Sequence, residues 1–363
     1  MFGKTKISIF FLILMLLVSA CGAPTTVSGG EATEAVATSS GSAEAPIEAM
    51  DVSGDLVIYS GRSEPLIQPV IDAFKAQYPS VNILLKAGSN SELANALIEE
   101  QANPQADVFI TTELFTVQSL AGQGIFESYL PKGADQLPAE FLGADNMWTG
   151  LTRRARVIMY NKDLVSEDEL PTSIFDLTDP KWKGQIAAAG STNGSMQAQI
   201  AAMRQLLGEE ETEAWLNGLL ANEVTFFSGH TDVRKAVGAG EFKLGLVNHY
   251  YFHLQVAEGS NVGIVYPDQG DGQIGLITNA TSAAIVKGAK NLTAAQALLD
   301  FLVSADGQKL FAEQNYEYPL LPAVALKDGV QPLDSFRLAD VDIVSAALDF
   351  DATFDLIEKV GLP

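Results

Sequence analysis

Two adjacent tyrosines, Tyr250 and Tyr251, follow the apolar run Leu244-Gly245-Leu246-Val247 and the polar pair Asn248-His249. The apolar run reads as a buried strand, and an open α/β sheet takes its ligands at the C-terminal ends of its strands. Phenols placed there could hold a hard cation as phenolates, or serve as two core aromatics. A second, basic group occurs elsewhere in the chain: Arg153-Arg154-Ala155-Arg156 leads into an apolar strand ending at Tyr160, and Arg62 follows the strand at 56–59. A guanidinium offers paired donors that suit an oxyanion, although Arg156 is equally suited to a structural ion pair. A third group is the loop Ser191-Thr192-Asn193-Gly194-Ser195 at the start of a helix near Met196. Helix N-termini present free N–H groups to anions, and polar residues also cap helices that bind nothing.

Other chemistry is excluded. His249 and His253 have the spacing of one helical face but lack the glutamate of a zinc protease. With His230 they read as rim or surface residues, His249 lying at most behind the tyrosines. The stretch 268–272 is too short for a calcium loop and lacks its terminal glutamate. Neither G-x-S-x-G nor H-E-x-x-H occurs, so the chain reads as a binding protein and not a hydrolase. With 45 acidic and 22 basic residues, a formal charge of -23, it would repel nucleic acid.

The elements that must position these groups alternate between strand and helix periodicity from Asp55 onwards, which predicts an α/β fold with a βαβαβ start. Strands are expected at 56–59, 81–85 and 107–110, the last ending in Thr111-Thr112-Glu113. Ser63 and Ser91 are placed to cap the two helices between them. Before the fold, Lys4 and Lys6 precede an apolar run too short to span a bilayer, the pattern of a secretory signal. That run ends Leu17-Val18-Ser19-Ala20-Cys21, which resembles a lipobox, so residues 1–20 read as a lipoprotein signal and Cys21 as the lipidated residue. Cys21 is the only cysteine, so an internal disulfide is excluded. Residues 21–53 are poor in large apolar side chains and read as a disordered tether.

In family order the chain carries Val57-Ile58-Tyr59-Ser60-Gly61-Arg62, Ala106-Asp107-Val108-Phe109, Arg154-Ala155-Arg156-Val157-Ile158-Met159-Tyr160-Asn161, Asp179-Pro180-Lys181-Trp182-Lys183-Gly184, Thr192-Asn193-Gly194-Ser195, Asn248-His249-Tyr250-Tyr251 and Tyr316-Glu317-Tyr318-Pro319-Leu320. With these it resembles the ferric-ion-binding proteins of bacterial iron(III) ABC transporters. That resemblance implies the two-lobed, transferrin-like type II periplasmic-binding-protein fold. It places 54–152 plus 272–322 in the first lobe and 153–271 plus 323–363 in the second, with the ligand in the cleft between them. It implies Fe3+ as cargo, an ABC permease in the cytoplasmic membrane as partner, an extracytoplasmic and lipid-anchored location, and a monomer. Tyr250 and Tyr251 correspond to iron ligands, and Tyr160 to a tyrosine recruited where a histidine ligand is lacking. Ser63 stands where relatives often have that histidine, and Thr112 where they often have a carboxylate. Glu113, one place on, is the substitute. Arg154, Arg156 and Arg62 are expected around a synergistic anion such as carbonate, with Asn193 and Ser195 beside it. The alternative is the same fold holding another small solute: thiamine, a phosphonate or a polyamine.

Overall fold

The structure, a computed structural model, describes residues 52–363. The expected signal, Cys21 and nearly all of the expected tether lie outside the described residues. The chain begins β1 (Gly54–Ser60), α1 (Glu64–Gln77), β2 (Val81–Ala87), α2 (Asn90–Glu99), β3 (Val108–Thr111), α3 (Leu114–Gly122) and β4 (Phe126–Glu127). The long strand β5 (Thr149–Asn161) leads to β6 (Ile186–Ala189), α4 (Gly194–Leu207), α5 (Glu209–Ala221), β7 (Thr225–Phe227), α6 (His230–Gly238), β8 (Leu244–Asn248), α7 (His249–Ala257) and β9 (Val262–Val265). The chain returns through β10 (Thr278–Val286), α8 (Leu292–Val303), α9 (Ala305–Asn315) and β11 (Tyr318–Pro319), and closes with α10 (Ile343–Leu348) and α11 (Asp351–Val360).

The strands line up as β2-β1-β3-β10-β5-β8-β6-β7. As the βαβαβ start predicts, β2, β1 and β3 are parallel, and so are β8, β6 and β7. Between these parallel sets, β10 and β5 run antiparallel to their neighbours, so the sheet is mixed. Of the two, β5 is the strand that pairs with both halves of the sheet. The first part of β5 pairs with β10, and from Arg156 onwards it pairs with β8 and β9.

Each lobe is held by its own buried apolar residues. Ile58, Phe74, Phe109 and Leu298 belong to the first core, and Ile158, Trp182, Trp215 and Leu246 to the second. Phe74 is supplied by α1, whose Ile67, Ile71 and Phe74 recur at helical spacing on one face. Truncating such a fully buried ring to alanine costs about 3–5 kcal/mol.

Two helix starts differ from expectation. Ser89, not Ser91, caps α2, accepting the Glu92 N–H, because a serine three residues before a glutamate satisfies the first turn. Ser63 occupies the cap position of α1 but makes no side-chain cap bond. The final helices touch both lobes: α10 and Phe350 bury against Phe115 of α3 and against Ala198 and Ala201 of α4. Among the described residues no helix is long and apolar enough to cross a membrane.

Candidate functional site

Strand β8 ends at Asn248 and α7 begins at the next residue, so Tyr250 and Tyr251 sit in the first helical turn. Their rings lie 4.2 Å apart with planes inclined by 31°. Both are largely buried, at 3% and 8% exposure, and both line a cleft of about 430 Å³. Burial first, and the adjacent Tyr250 phenol second, hold the Tyr251 hydroxyl well above the ordinary phenol value, against the pull of Arg62 and Arg154. Such a phenol stays protonated at neutral pH until a strong cation beside it replaces the proton.

The opposite wall includes Arg62 of the first lobe, and β5, which pairs with both halves of the sheet, adds Arg154. Arg62 follows β1 and is fully buried, donating from Nη1 to Thr281 Oγ1 at 3.0 Å and forming an ion pair with Glu317. Arg154, on β5, donates from Nη2 to the Thr112 carbonyl. Arg156 lies below the cleft. It donates from Nε to Gln199 Oε1 at 2.9 Å and from Nη1 to Asn248 Oδ1 at 3.2 Å, with His230 Nε2 3.1 Å from that same Nη1. Burial, then repulsion from Arg154, brings its guanidinium down to about 9. Arg62 Nε, Arg154 Nε and Arg156 Nη2 are buried without an acceptor among the described residues. Buried donors of this kind are ordinarily satisfied, and the two of these arginines that line the cleft, Arg62 and Arg154, suit an oxyanion.

The loop before α4 is partly self-satisfied. Asn193 Oδ1 accepts the N–H groups of Ser195 and Met196, and Ser195 Oγ accepts from Asn248 Nδ2 at 3.0 Å. Gly194 of this loop packs closely against Asn90 and Thr112. A Cβ there would collide with the Asn90 amide and come within 2.9 Å of Thr112 Oγ1.

Among the described residues, no aspartate or glutamate lines the cleft. Among the described residues no cluster of three His, Cys, Asp or Glu side chains could hold a metal, so a cation here would rely on the phenols.

Residues 103–346 match the family of bacterial extracellular solute-binding proteins. The chain belongs to that family. Iron uptake protein A1 of Synechocystis sp. is 34% identical over 305 residues, 81% of this chain and 82% of that relative. The Fe(3+)-binding periplasmic protein of Serratia marcescens is 28% identical over 320 residues, covering 87% and 93%. Among solved structures, iron-bound HitA from Pseudomonas aeruginosa matches with a TM-score of 0.78 at 28% identity, covering 85% of this chain and 99% of that one. This solute-binding protein has the two-lobed type II periplasmic-binding fold, and its family is one of carriers, not an enzyme class.

Not every residue expected at the site of this solute-binding protein is there. Tyr160 packs over Gly263, with Leu244 opposite it on β8. Arg156 faces Asn248, so Tyr160 lies four residues, roughly 13 Å, along β8 from the cleft. Burial, then Glu167, raises its phenol. Glu113 is also turned away. Its carboxylate caps α3, accepting Phe115 N–H at 2.6 Å and Thr116 N–H at 2.9 Å. Neither reaches the tyrosine pair. Arg62, Arg154, Asn193, Ser195, Tyr250 and Tyr251 share the cleft, with Arg156 beneath.

The three histidines are buried, not at the rim. His230 packs edge-on against Tyr251 at 5.1 Å, and burial, then Arg156 and Arg154, hold its ring well below the ordinary imidazole value. A guanidinium only donates, so the ring accepts from Arg156 through Nε2. Residues 228–231 at the start of α6 also line the cleft. Their Ser-Gly-His-Thr run is the same kind of polar, glycine-bearing helix start as the loop before α4, the signal by which it could have been found.

Proposed function

We propose that this solute-binding protein captures ferric iron in the cleft and hands it to an ABC permease. The observation that carries the reading is the pair Tyr250 and Tyr251, buried in a cleft with two arginines and no carboxylate. Fe3+ is small and hard and prefers basic oxygen donors. Two phenolates leave one positive charge on the ion. Arg62 is neutralised by Glu317, while Arg154 has no acidic partner and adds a second. Arg156, beneath the cleft and bonded to uncharged partners, adds a third, and a dianion such as carbonate, held between Arg154 and Ser195, offsets two of the three. Tyr160 and Glu113 take no part in the coordination. The two relatives named for iron uptake and Fe(3+) binding, and iron-bound HitA, agree with this cargo.

The first lobe carries Arg62 and the second the tyrosines, so the ion binds one wall and closure brings the other, the closed form being what the permease takes. Residues 54–152 plus 272–322 move against 153–271 plus 323–363 about β5 and β10. A lipid on Cys21 holds the monomer at the extracytoplasmic membrane face, and intact mass of the membrane fraction tests for the diacylglyceryl adduct. The iron reading is tested by adding ferric citrate to chelator-stripped protein. A phenolate-to-iron charge-transfer band in the visible is expected, lost in Tyr250→Phe; a colourless titration overturns it.

A second reading is favoured by the acid-free lining: a small oxyanion solute such as a phosphonate. The same lining disfavours cationic thiamine and polyamines. Calorimetric titration of methylphosphonate into iron-free protein distinguishes them, with micromolar binding in the absence of metal supporting the second reading.

A further inference from the structure

The residue immediately before the tyrosine pair is fully buried and has both ring nitrogens engaged. His249 Nδ1 lies 3.2 Å from the backbone nitrogen of Ala155, and its Nε2 lies 2.8 Å from the carbonyl oxygen of Tyr316. A backbone N–H can only donate, so Nδ1 is the acceptor and Nε2 carries the proton that it gives to Tyr316. The ring also stacks on Tyr318 at 4.2 Å with planes 24° apart.

These partners are not ordinary core neighbours. Ala155 is the last β5 residue paired with β10, opposite Thr278, and Arg156 is the first paired with β8, opposite Asn248. Tyr316 is the left-handed residue that ends α9, and the next residue, Glu317, is the counter-ion of Arg62. One imidazole therefore ties the first turn of α7 to the crossing strand and to the corner that holds the opposite wall's arginine.

We propose that His249 is a positioning residue for Tyr250 and Tyr251, fixing their helical turn to β5 and to the Tyr316–Glu317 corner. This rests on the ferric reading for its functional consequence, and on geometry alone for the tethering. A space-filling role would be met by any flat ring, since phenylalanine keeps the Tyr318 stack. A positioning role needs an acceptor and a donor on the same group, which glutamine supplies and phenylalanine does not.

The experiment compares wild type, His249→Phe and His249→Gln. Hydrogen exchange of the iron-free proteins is read at the Ala155 amide and across 249–252, with the Ile58 amide in the first core as control. In His249→Phe, exchange at 155 and 249–252 should rise at least tenfold while Ile58 is unchanged. With ferric iron bound, release should quicken about tenfold and the charge-transfer maximum should move. His249→Gln should return both readouts towards wild type. Exchange in His249→Phe equal to wild type overturns the proposal, as does His249→Gln behaving like His249→Phe. If wild type gives no charge-transfer band, the cargo reading fails, and the exchange measurement still decides the tether.

Discussion

Gly194 and Asn90 meet across the cleft so closely that no side chain larger than hydrogen fits on Gly194. A Cβ would overlap the Asn90 amide nitrogen, and Asn90 has little room to yield, since it bonds to Thr112 Oγ1 at 2.9 Å and to the Thr112 backbone N–H through Oδ1 at 3.3 Å. The contact joins the first turn of α4 in the second lobe to the start of α2 in the first.

Gly194→Ala should therefore oppose closure without harming the fold. Alanine is favourable in a helix by up to about 1 kcal/mol relative to glycine, so the thermal midpoint should hold or rise. Ferric release should accelerate about tenfold, and the loaded protein should show a larger radius of gyration by small-angle scattering. Release and scattering equal to wild type would mean that this contact does not limit closure.

Tyr160→Phe separates a core phenol from a ligand. Tyr160 lies in the second core and away from the cleft, so the visible band and the iron stoichiometry should match wild type. The stability change should stay within about 1 kcal/mol, the scale of one modest hydrogen-bonding group. A lost or shifted band would place this phenol on the ion after all.

Glu317→Gln should be costly. Its carboxylate is buried, pairs with Arg62 and accepts the Thr152 hydroxyl. Removing one partner of a buried pair typically costs about 3–5 kcal/mol because the other charge remains. Urea unfolding of Glu317→Gln should fall by that amount, and adding Arg62→Met should recover a good part of it. Full stability in the single variant would mean that the pair contributes little.

Glu113 gives a pH signature. Burial raises its carboxyl above the ordinary 4.5, against the capping N–H groups that lower it. The fold therefore keeps a proton that the unfolded chain gives up. Its stabilising contribution is complete below pH 4.5 and is lost as pH rises through the raised value. Glu113→Gln does not titrate, so relative to wild type it should gain stability from pH 4.5 upwards. Urea midpoints across pH 4 to 8 measure this, and a constant difference would mean that the carboxyl does not titrate in that range.

Much of the fold was legible because the apolar periodicities of α1 and the short parallel strands are local. Tyr250 and Tyr251 were legible for the same reason, being two phenols just past a strand's end. Tyr160 also ends a strand and misled, because β5 runs antiparallel to β8. The C-terminal end of β5 therefore lies at the edge away from the cleft, and direction relative to neighbours is not written in one strand's residues. Glu113 misled because a carboxylate just before a helix serves as a cap as readily as a ligand. His230 and the start of α6 were missed because their place beside Tyr251 arises from tertiary packing, with no local mark beyond a polar turn.

The alternation along β5 has a genetic consequence. Thr152, Arg154 and Arg156 bond to Glu317, Thr112 and Asn248 on the cleft side, whereas Arg153 reaches Thr278 and lies over the Phe141 ring. A single codon gained or lost within this strand would turn every following side chain to the opposite face. A change before Arg154 would turn Arg154 out of the cleft and Arg156 away from its partners beneath it, and the pairing with β10 and with β8 would slip at once. An inserted peptide or reporter tag should therefore disrupt the protein when placed in β5 and be accommodated better in an exposed turn.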